Sequence, residues 1–449
     1  MLAKSDPSYY PARMSDDTFS LTSDSSERRY AESSDGAPLY ETANRTQVEL
    51  TPTDLEALLP LGHAARLIWR FVEGLDLGRF YDAIGSRTDT GGRPAIDPKI
   101  LVAVWLYATV DGVGRAREVD RLCYSHDAYR WLRGGVSVNY HTLSDFRVRH
   151  KAALDDLLTQ SITALLHRRL ITLRRVAQDG TRIRANAGIR SFRRAHTLQE
   201  CLAQARKQVT QTARAADGAG LSREAAAQAR AAAERLARVE EALAELPKIT
   251  ATKRRNRNTS EPRASTTDVE ARIMKMSDGG YRPAYNLQLA SDADSGTVVG
   301  VAVTNVGSDQ HELMPMLNQI ERRTGRDPEA MLADGGFVNQ IALEDATVRG
   351  VTILAPVPRQ RGTTDPVPPQ PTDLMAVALW RRRMGSESAQ QAYRTRASIA
   401  ERVNADVKVH RAPGPVPVRG LDKVHTWALW IALAINAMRA MEIVPHLMT

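Results

Sequence analysis

The sequence predicts an α/β chain, α+β overall: a helical N-terminal part, then a mixed β-sheet that a helical hairpin interrupts. From about residue 50 to 170, apolar residues recur at helical spacing. Beyond 170, short apolar runs bounded by turn residues alternate with helical segments. A stretch rich in Ala, Glu, Arg and Leu separates the first strand-like run from the next. These three observations carry the prediction of fold class.

The bulk composition favours a soluble protein with a polyanionic partner. The chain has 449 residues, 43% hydrophobic and 25% charged, with 61 Lys and Arg against 52 Asp and Glu. Cys123 and Cys201 have no neighbour at metal-ligand spacing, so neither a zinc site nor a disulfide framework is expected. The apolar runs at 100–110 and 427–438 are too short to span a bilayer, so no membrane role is expected. A cytoplasmic location fits these features.

The N-terminal half divides into a leader and a helical region. Residues 1–48 are rich in Ser, Asp and Arg, without the apolar core of a signal peptide, and are expected to be disordered. Residues 49–172 are predicted to form a helical domain. Thr53 and Glu56 have capping-box spacing, and Asp97 with Pro98 is typical of a helix start.

One predicted helix of this region has a basic face that includes Arg147 and Arg149. Such a face either contacts phosphates or is a solvated helix surface, and both interpretations stay open.

The second half has a recognisable order of elements. Strands are predicted near 174–183, 285–293, 296–306, 328–334 and 350–358, with helices between the later ones and from 373 onwards. Three antiparallel strands followed by strands joined through helices is the order of a ribonuclease-H-like sheet. Residues 173–193 and 281–449 are therefore predicted to form this sheet domain.

Residues 194–280 are predicted to be an insertion in that domain. The stretch 194–248 is interpreted as a coiled-coil-like helical hairpin that packs against itself or a second protomer. It precedes a basic, turn-rich loop, whose Lys253, Arg254 and Arg255 are expected to touch DNA.

Two Asp-Gly pairs are the first candidates for chemistry. Asp179 lies in the first strand-like run and Asp334 ends the fourth; each precedes a glycine, which leaves room for a metal or phosphate. In a ribonuclease-H-like sheet the first and fourth strands are neighbours, so the pair could bind one or two Mg²⁺ ions. The alternative for Asp179 is a hairpin turn, since Asp-Gly is a strong turn signal.

A third carboxylate is sought on a helix packed against the sheet. Glu401 lies in the predicted helix 393–408 and shares a face with Lys408, two turns away. The alternative is an exposed helix with ion pairs along its surface. Asp309 is interpreted as a helix N-cap, with a role beside the site as its alternative.

Several longer segments carry a family resemblance. The helical part contains "GRPAIDPKILVAVWLYATVDGVGRAREVDRLC" and "NYHTLSDFRVRH"; the second half contains "QDGTRIRANAG", "LADGGF" and "RGLDKVHTWALWIALAINAMR". In these motifs and their order the chain resembles the DDE transposases of bacterial insertion sequences, with an InsH-type N-terminal domain. The resemblance implies that residues 49–172 form a DNA-binding domain. The resemblance extends from about residue 50 to the end.

The resemblance implies a metal-binding triad of Asp179, Asp334 and Glu401, supported by Tyr393, Arg396 and Lys408. One departure is that four residues separate Arg396 from Glu401, where the commonest signature has three.

The resemblance also implies two Mg²⁺ (or Mn²⁺) ions and double-stranded DNA as partner, both terminal inverted repeats and target DNA. A homodimer on the DNA ends and a cytoplasmic, nucleoid-associated bacterial location are implied as well. The expected activity is strand cleavage at the repeats and strand transfer into target DNA. The alternatives are a transposase-derived repressor or relic, and a ribonuclease-H-like nuclease without strand transfer.

Overall fold

A computed structural model of the protein describes residues 54–86, 94–218, 222–255, 257–360, 366–411 and 414–443. The leader predicted at 1–48 lies outside these ranges. None of the described helices is both long enough and apolar enough to cross a membrane.

The N-terminal part is helical, as predicted. Its helices α1 to α7 span Ala64–Glu73, Gly78–Asp82, Pro98–Val110, Ala116–Ser125, Asp127–Arg133, Tyr140–Arg149 and Lys151–His167. Asp97 caps α3 by accepting a hydrogen bond from the backbone N–H of Lys99. Glu56 lies in a short 3₁₀ turn and its carboxylate pairs with Arg66; the predicted capping box involves Thr53, which lies outside the described ranges.

Strands and helices alternate in the second half. The strands β1 to β8 span Arg175–Arg184, Phe192–Arg193, Ala264–Ser265, Arg272–Lys275, Tyr281–Asp292, Val298–Thr304, Ala330–Leu332 and Thr352–Leu354. The helices α8 to α14 span Ala195–Gly218, Arg223–Arg255, Leu313–Thr324, Gln340–Val348, Met375–Met384, Glu387–Ala405 and Leu421–Ile443.

The main sheet has the strand order expected of a ribonuclease-H-like fold. Strand β1 pairs antiparallel with β5 on one side and parallel with β7 on the other, and β7 pairs parallel with β8. Strand β6 lies beyond β5 as the second arm of the predicted hairpin, and β4 pairs with the first residues of β5. The short β4 lies within the segment 194–280 that the sequence assigned to the insertion. The predicted mixed sheet is confirmed.

Asp179 and Gly180 lie inside β1 and do not form a turn. They continue the antiparallel ladder opposite Leu289 and Gln288, and the strand runs on to Arg184. The turn interpretation of this Asp-Gly pair is wrong, because β5 provides regular backbone partners on both sides of it.

Helix α14 joins the helical part to the sheet in one core. It packs against α3 and α7 on one side and against β6 on the other. Its Trp430 is buried and donates a hydrogen bond from Nε1 to the backbone oxygen of Arg147 at 3.0 Å. The two halves therefore share apolar surface and do not have separate cores.

Two side chains form hydrogen bonds with the edge of β6 that faces away from β5. Asn436 of α14 accepts from the N–H of Val298 at 2.8 Å and donates to its C=O at 2.9 Å. Gln319 of α10 does the same for Val301, at 2.7 and 3.0 Å. These amides replace a neighbouring strand, so the backbone groups of the edge are satisfied although buried.

Helices α8 and α9 form the predicted hairpin, called here the helical arm. They pack against each other, with Arg206 bound to Glu240 at 3.3 Å, and a small separate core closes the base of the arm. Lys253 to Arg255 were predicted in a loop, whereas they form the last turn of α9. Apolar residues of α9 such as Ile249 pack into the core at the base of the arm. This packing stabilises the helical conformation of the last turns of α9.

Replacing Asn436 with Leu should lower the free energy of unfolding by about 2 to 5 kcal/mol, because it leaves the buried N–H and C=O of Val298 without partners. Urea unfolding of the full chain is the measurement. The same change at exposed Asn318 is the control and should cost less than about 1 kcal/mol. Equal losses at the two positions would contradict the edge-pairing role.

His425 of α14 should make stability fall in acid. Burial lowers its pKa from 6.5 to about 4, with Lys151 and Arg323 acting in the same direction and Asp155 and Asp422 opposing them. Between pH 6.5 and 4 the unfolded chain binds a proton here that the folded chain does not. Stability is therefore lost as the pH falls through this window, by up to about 1.4 kcal/mol per pH unit.

The variant His425→Leu removes this proton uptake. Its free energy of unfolding should decline less than that of the unchanged protein between about pH 6.5 and 4.5, measured by urea unfolding at each pH. Parallel declines in the two proteins would exclude His425 as a source of the acid sensitivity.

Candidate active site

The parallel pairing of β1 with β7 brings the two predicted aspartates together. Ala177 is opposite Leu332 in the last described pair, and Asp179 and Asp334 each lie two residues further along. In β-structure two residues return the side chain to the same face of the sheet. Asp334 then caps a 3₁₀ turn by accepting from the N–H of Gly336 at 2.7 Å.

Asp179 is held by two donors from helix α13. Nη2 of Arg396 donates to Oδ1 at 2.7 Å, and Nδ2 of Asn404 donates to Oδ2 at 2.6 Å. Burial raises the pKa of Asp179; Arg396 opposes this effect, and the nearby charge of Asp334 adds to it. The charge of Asp334 therefore acts on Asp179, and two neighbouring carboxylates are a suitable arrangement for a shared cation.

Helix α13 forms because Ser386 caps its first turn and because it buries an apolar stripe that includes Ile399 and Val403. Its neighbouring face carries Tyr393 and Arg396 to the aspartates. Burial raises the pKa of Tyr393, which also lies near Arg396 and Asp334, so its phenol stays protonated at neutral pH.

Glu401 is not brought into contact with the aspartates. Its side chain is exposed, with no hydrogen bond or ion pair to the described residues. Glu401 follows Arg396 by five positions, which at about 100° per residue separates the two side chains by about 140° around the axis of α13. The commonest family spacing, four positions, would separate them by only about 40°. Across the described ranges, no three His, Cys, Asp or Glu side chains are grouped as a metal site. Lys408 is also exposed, in the π-helical turn Asp406–Arg411 that continues α13.

Asp309 belongs to a polar cluster beside Gly180, the residue that follows Asp179. Its Oδ1 accepts from Nδ2 of Asn286 at 2.7 Å and from Nε2 of Gln288 at 2.6 Å. The N-cap interpretation is wrong, because α10 begins at Leu313 and Glu312 precedes it as N-cap. A Cβ at Gly180 would collide with Asp309 and Gln288. The glycine after Asp179 was the available signal of this close approach.

The predicted DNA contacts of the helical part differ in accessibility. Both interpretations of the basic face placed Arg147 at the surface, one of them against DNA, but only 6% of Arg147 is exposed. Its guanidinium donates to the oxygen of Gly114 and lies over Trp105. Burial lowers its pKa to about 10. Arg147 is thus a core residue in the described conformation, and its prediction as a phosphate contact is corrected. Arg149 is exposed, with an ion pair to Asp145 at 2.8 Å.

The basic residues at the end of the arm also differ. Lys253 donates from Nζ to Oγ of Ser260 at 2.6 Å and to the oxygen of Glu261 at 3.3 Å, so it closes the turn after α9. Arg254 and Arg255 are exposed and accessible to a partner.

The oxygen atoms around Asp179 suit a divalent cation of the Mg²⁺ type. Asp179 and Asp334 provide carboxylates, and the amide oxygen of Asn404 is buried with no partner among the described residues. Hard oxygen donors of this kind are the ligands that Mg²⁺ prefers. The residues present therefore fit such an ion.

Two protein-family models match the chain. The transposase domain (DUF772) matches residues 53–149, and the transposase DDE domain matches residues 250–437. The second match includes Asp334, Glu401 and all of α13, while Asp179 lies before it. Neither the curated proteins nor the solved structures contain a significant match.

The two matched domains are both transposase domains, and they follow each other from N to C terminus in one chain. The strand order of the main sheet agrees with the ribonuclease-H-like fold that the DDE domain implies. The chain is therefore a member of the DDE-type transposases.

Proposed function

We propose that the protein cleaves a DNA strand at the terminal inverted repeats of its element, with Mg²⁺ or Mn²⁺, and then joins the freed 3′ end to target DNA. The observation that carries this proposal is the register of β1 and β7, which brings Asp179 and Asp334 to neighbouring positions beneath α13. A nuclease without strand transfer would use the same residues, so strand transfer needs its own measurement.

Each residue of the site has a role in the proposal. Asp179 and Asp334 would hold the cations, with Glu401 as the third carboxylate of the triad. Two bound Mg²⁺ ions would stabilise the entering and the leaving oxygen of an in-line phosphodiester displacement. Arg396 and the protonated phenol of Tyr393 orient the scissile phosphate by donating hydrogen bonds to its oxygens. No described partner restrains Glu401, which leaves it available to metal.

DNA is the expected polymer, since the net charge is +9 and enzymes of this family act on DNA. The helical part, Lys408 and the exposed Arg149, Arg254 and Arg255 provide phosphate contacts in the proposal. Two ions per site, a homodimer on paired DNA ends and a cytoplasmic, nucleoid-associated location complete it.

The variants Asp179→Asn, Asp334→Asn and Glu401→Gln should each lower Mg²⁺-dependent nicking of a terminal-repeat duplex at least about 1,000-fold, because a metal ligand is lost. Their affinity for the duplex should be unchanged or higher, because a negative charge near phosphate is removed. Nicking assays and gel-shift titrations at one fixed salt concentration provide the two measurements.

The matched control is Glu387→Gln, which makes the same change at an exposed position in the first turn of α13 and should cleave normally. Full nicking by Glu401→Gln alone would remove Glu401 from the triad and leave the two aspartates in it. Duplex binding without nicking by the unchanged protein would favour the relic instead.

The helical arm is proposed to assist assembly on paired ends. We expect replacement of residues 207–238 by a short Gly-Ser turn to leave nicking intact, because the core at the base, including Leu198 and Leu246, is retained. Strand transfer should fall about 10-fold or more, measured with pre-nicked ends and a plasmid target. Normal strand transfer would make the arm a passive insertion. Loss of nicking as well would place the arm within the catalytic fold.

A further inference from the structure

Helix α13 contributes one hydrogen-bond donor to each oxygen of Asp179. Arg396 donates to Oδ1 and Asn404 to Oδ2, at 2.7 and 2.6 Å. An ionised carboxylate can accept about four hydrogen bonds, and the backbone N–H of Gly180 is a third donor to Asp179, so the carboxylate still has capacity for a cation. The two donors therefore fix the carboxylate in rotation without using up its capacity to bind metal.

Of the two donors, only Arg396 was among the predicted site residues. Arg396 is one of the supporting residues that the family resemblance implied, and Asn404 is not. Asn404 is half-buried, and its Oδ1 is fully buried without a partner among the described residues. Burying an amide oxygen without a hydrogen bond is costly, so packing alone does not account for an asparagine here.

The position of Asn404 on the helix adds to this argument. Arg396 and Asn404 are eight residues apart and bracket Glu401. Hydrogen bonds from both to one carboxylate hold this length of α13 against β1, a pairing that the packing of the two elements also shows. Arg396 and Asn404 together therefore fix the axial position of α13 relative to Asp179.

We propose that Asn404 is a positioning residue of the metal site: its amide fixes the orientation of the Asp179 carboxylate toward Asp334. This inference rests on the proposed function, because it assumes that Asp179 binds the metal. Partners that hydrogen-bond a ligating carboxylate typically contribute about 10- to 100-fold to metal affinity or activity.

The test is Mn²⁺ binding to the full chain without DNA, measured by isothermal titration calorimetry and by the electron paramagnetic resonance signal of free Mn²⁺. Asn404→Leu keeps the size of the side chain and removes the donor. We expect its Mn²⁺ affinity to be about 10- to 100-fold lower. Asn404→Gln keeps an amide donor on a longer side chain and should recover part of the loss.

Ser398→Ala is the matched control on the same helix. Ser398 is exposed and donates only within α13, to the oxygen of Thr395 at 2.9 Å, so its loss should leave Mn²⁺ affinity unchanged. Far-UV circular dichroism and the midpoint of thermal unfolding check that each variant is folded.

The outcomes separate this inference from the proposed function. If the unchanged protein and Asp179→Asn bind Mn²⁺ equally, the proposed metal site itself is wrong. If Asp179→Asn loses binding while folded Asn404→Leu keeps the affinity of the unchanged protein, the positioning role of Asn404 is overturned. Should Asn404→Leu fail to fold, Asn404→Gln decides: Mn²⁺ affinity as low as that of Asp179→Asn would contradict a role carried by the amide donor.

Discussion

The position of β1 between β5 and β7 is the constraint on which the candidate site depends. Antiparallel pairing with β5 holds the strand over Val176 to Arg184, and parallel pairing with β7 sets its register against the segment that leads into Asp334. A shift of one residue would turn Asp179 to the other face of the sheet, away from α13. The long antiparallel ladder with β5 thus fixes the position of β1 for its short parallel ladder with β7, which has only three described pairs.

The two faces of β1 have different tasks. Asp179 faces α13 and receives its donors, whereas Gly180 and Arg182 face a buried polar cluster around Asp309. Asp309 accepts hydrogen bonds from Asn286 and Gln288 of β5 and pairs with Arg182 of β1 at 3.4 Å, so it connects the two strands on this face. Two adjacent residues therefore connect one strand to two different layers, and only glycine has room on the second side.

Helix α14 makes the helical part and the sheet mechanically continuous. It packs against α3 and α7, and its Asn436 pairs the edge of β6. The helical part is therefore connected through a single helix, α14, to the sheet that carries the aspartates. This arrangement also explains the burial of Arg147, whose backbone oxygen binds Trp430 in the shared core.

Local patterns in the sequence determined the class of the fold, the order of its strands, the helical arm and the family. Apolar periodicity and turn residues predict helices and strands from residues close in the sequence. The pairing of Asp179 with Asp334 was predicted from the strand order, because the fold makes their two strands neighbours. The tertiary structure alone decided which side chains meet. Asn404 gave no local signal, because its partner Asp179 lies 225 residues away. Asp309 was interpreted as a helix cap, because its segment does not reveal hydrogen bonds to residues 21 and 23 positions away. Arg147 looked like a surface cation, since helical spacing does not reveal what packs on each face.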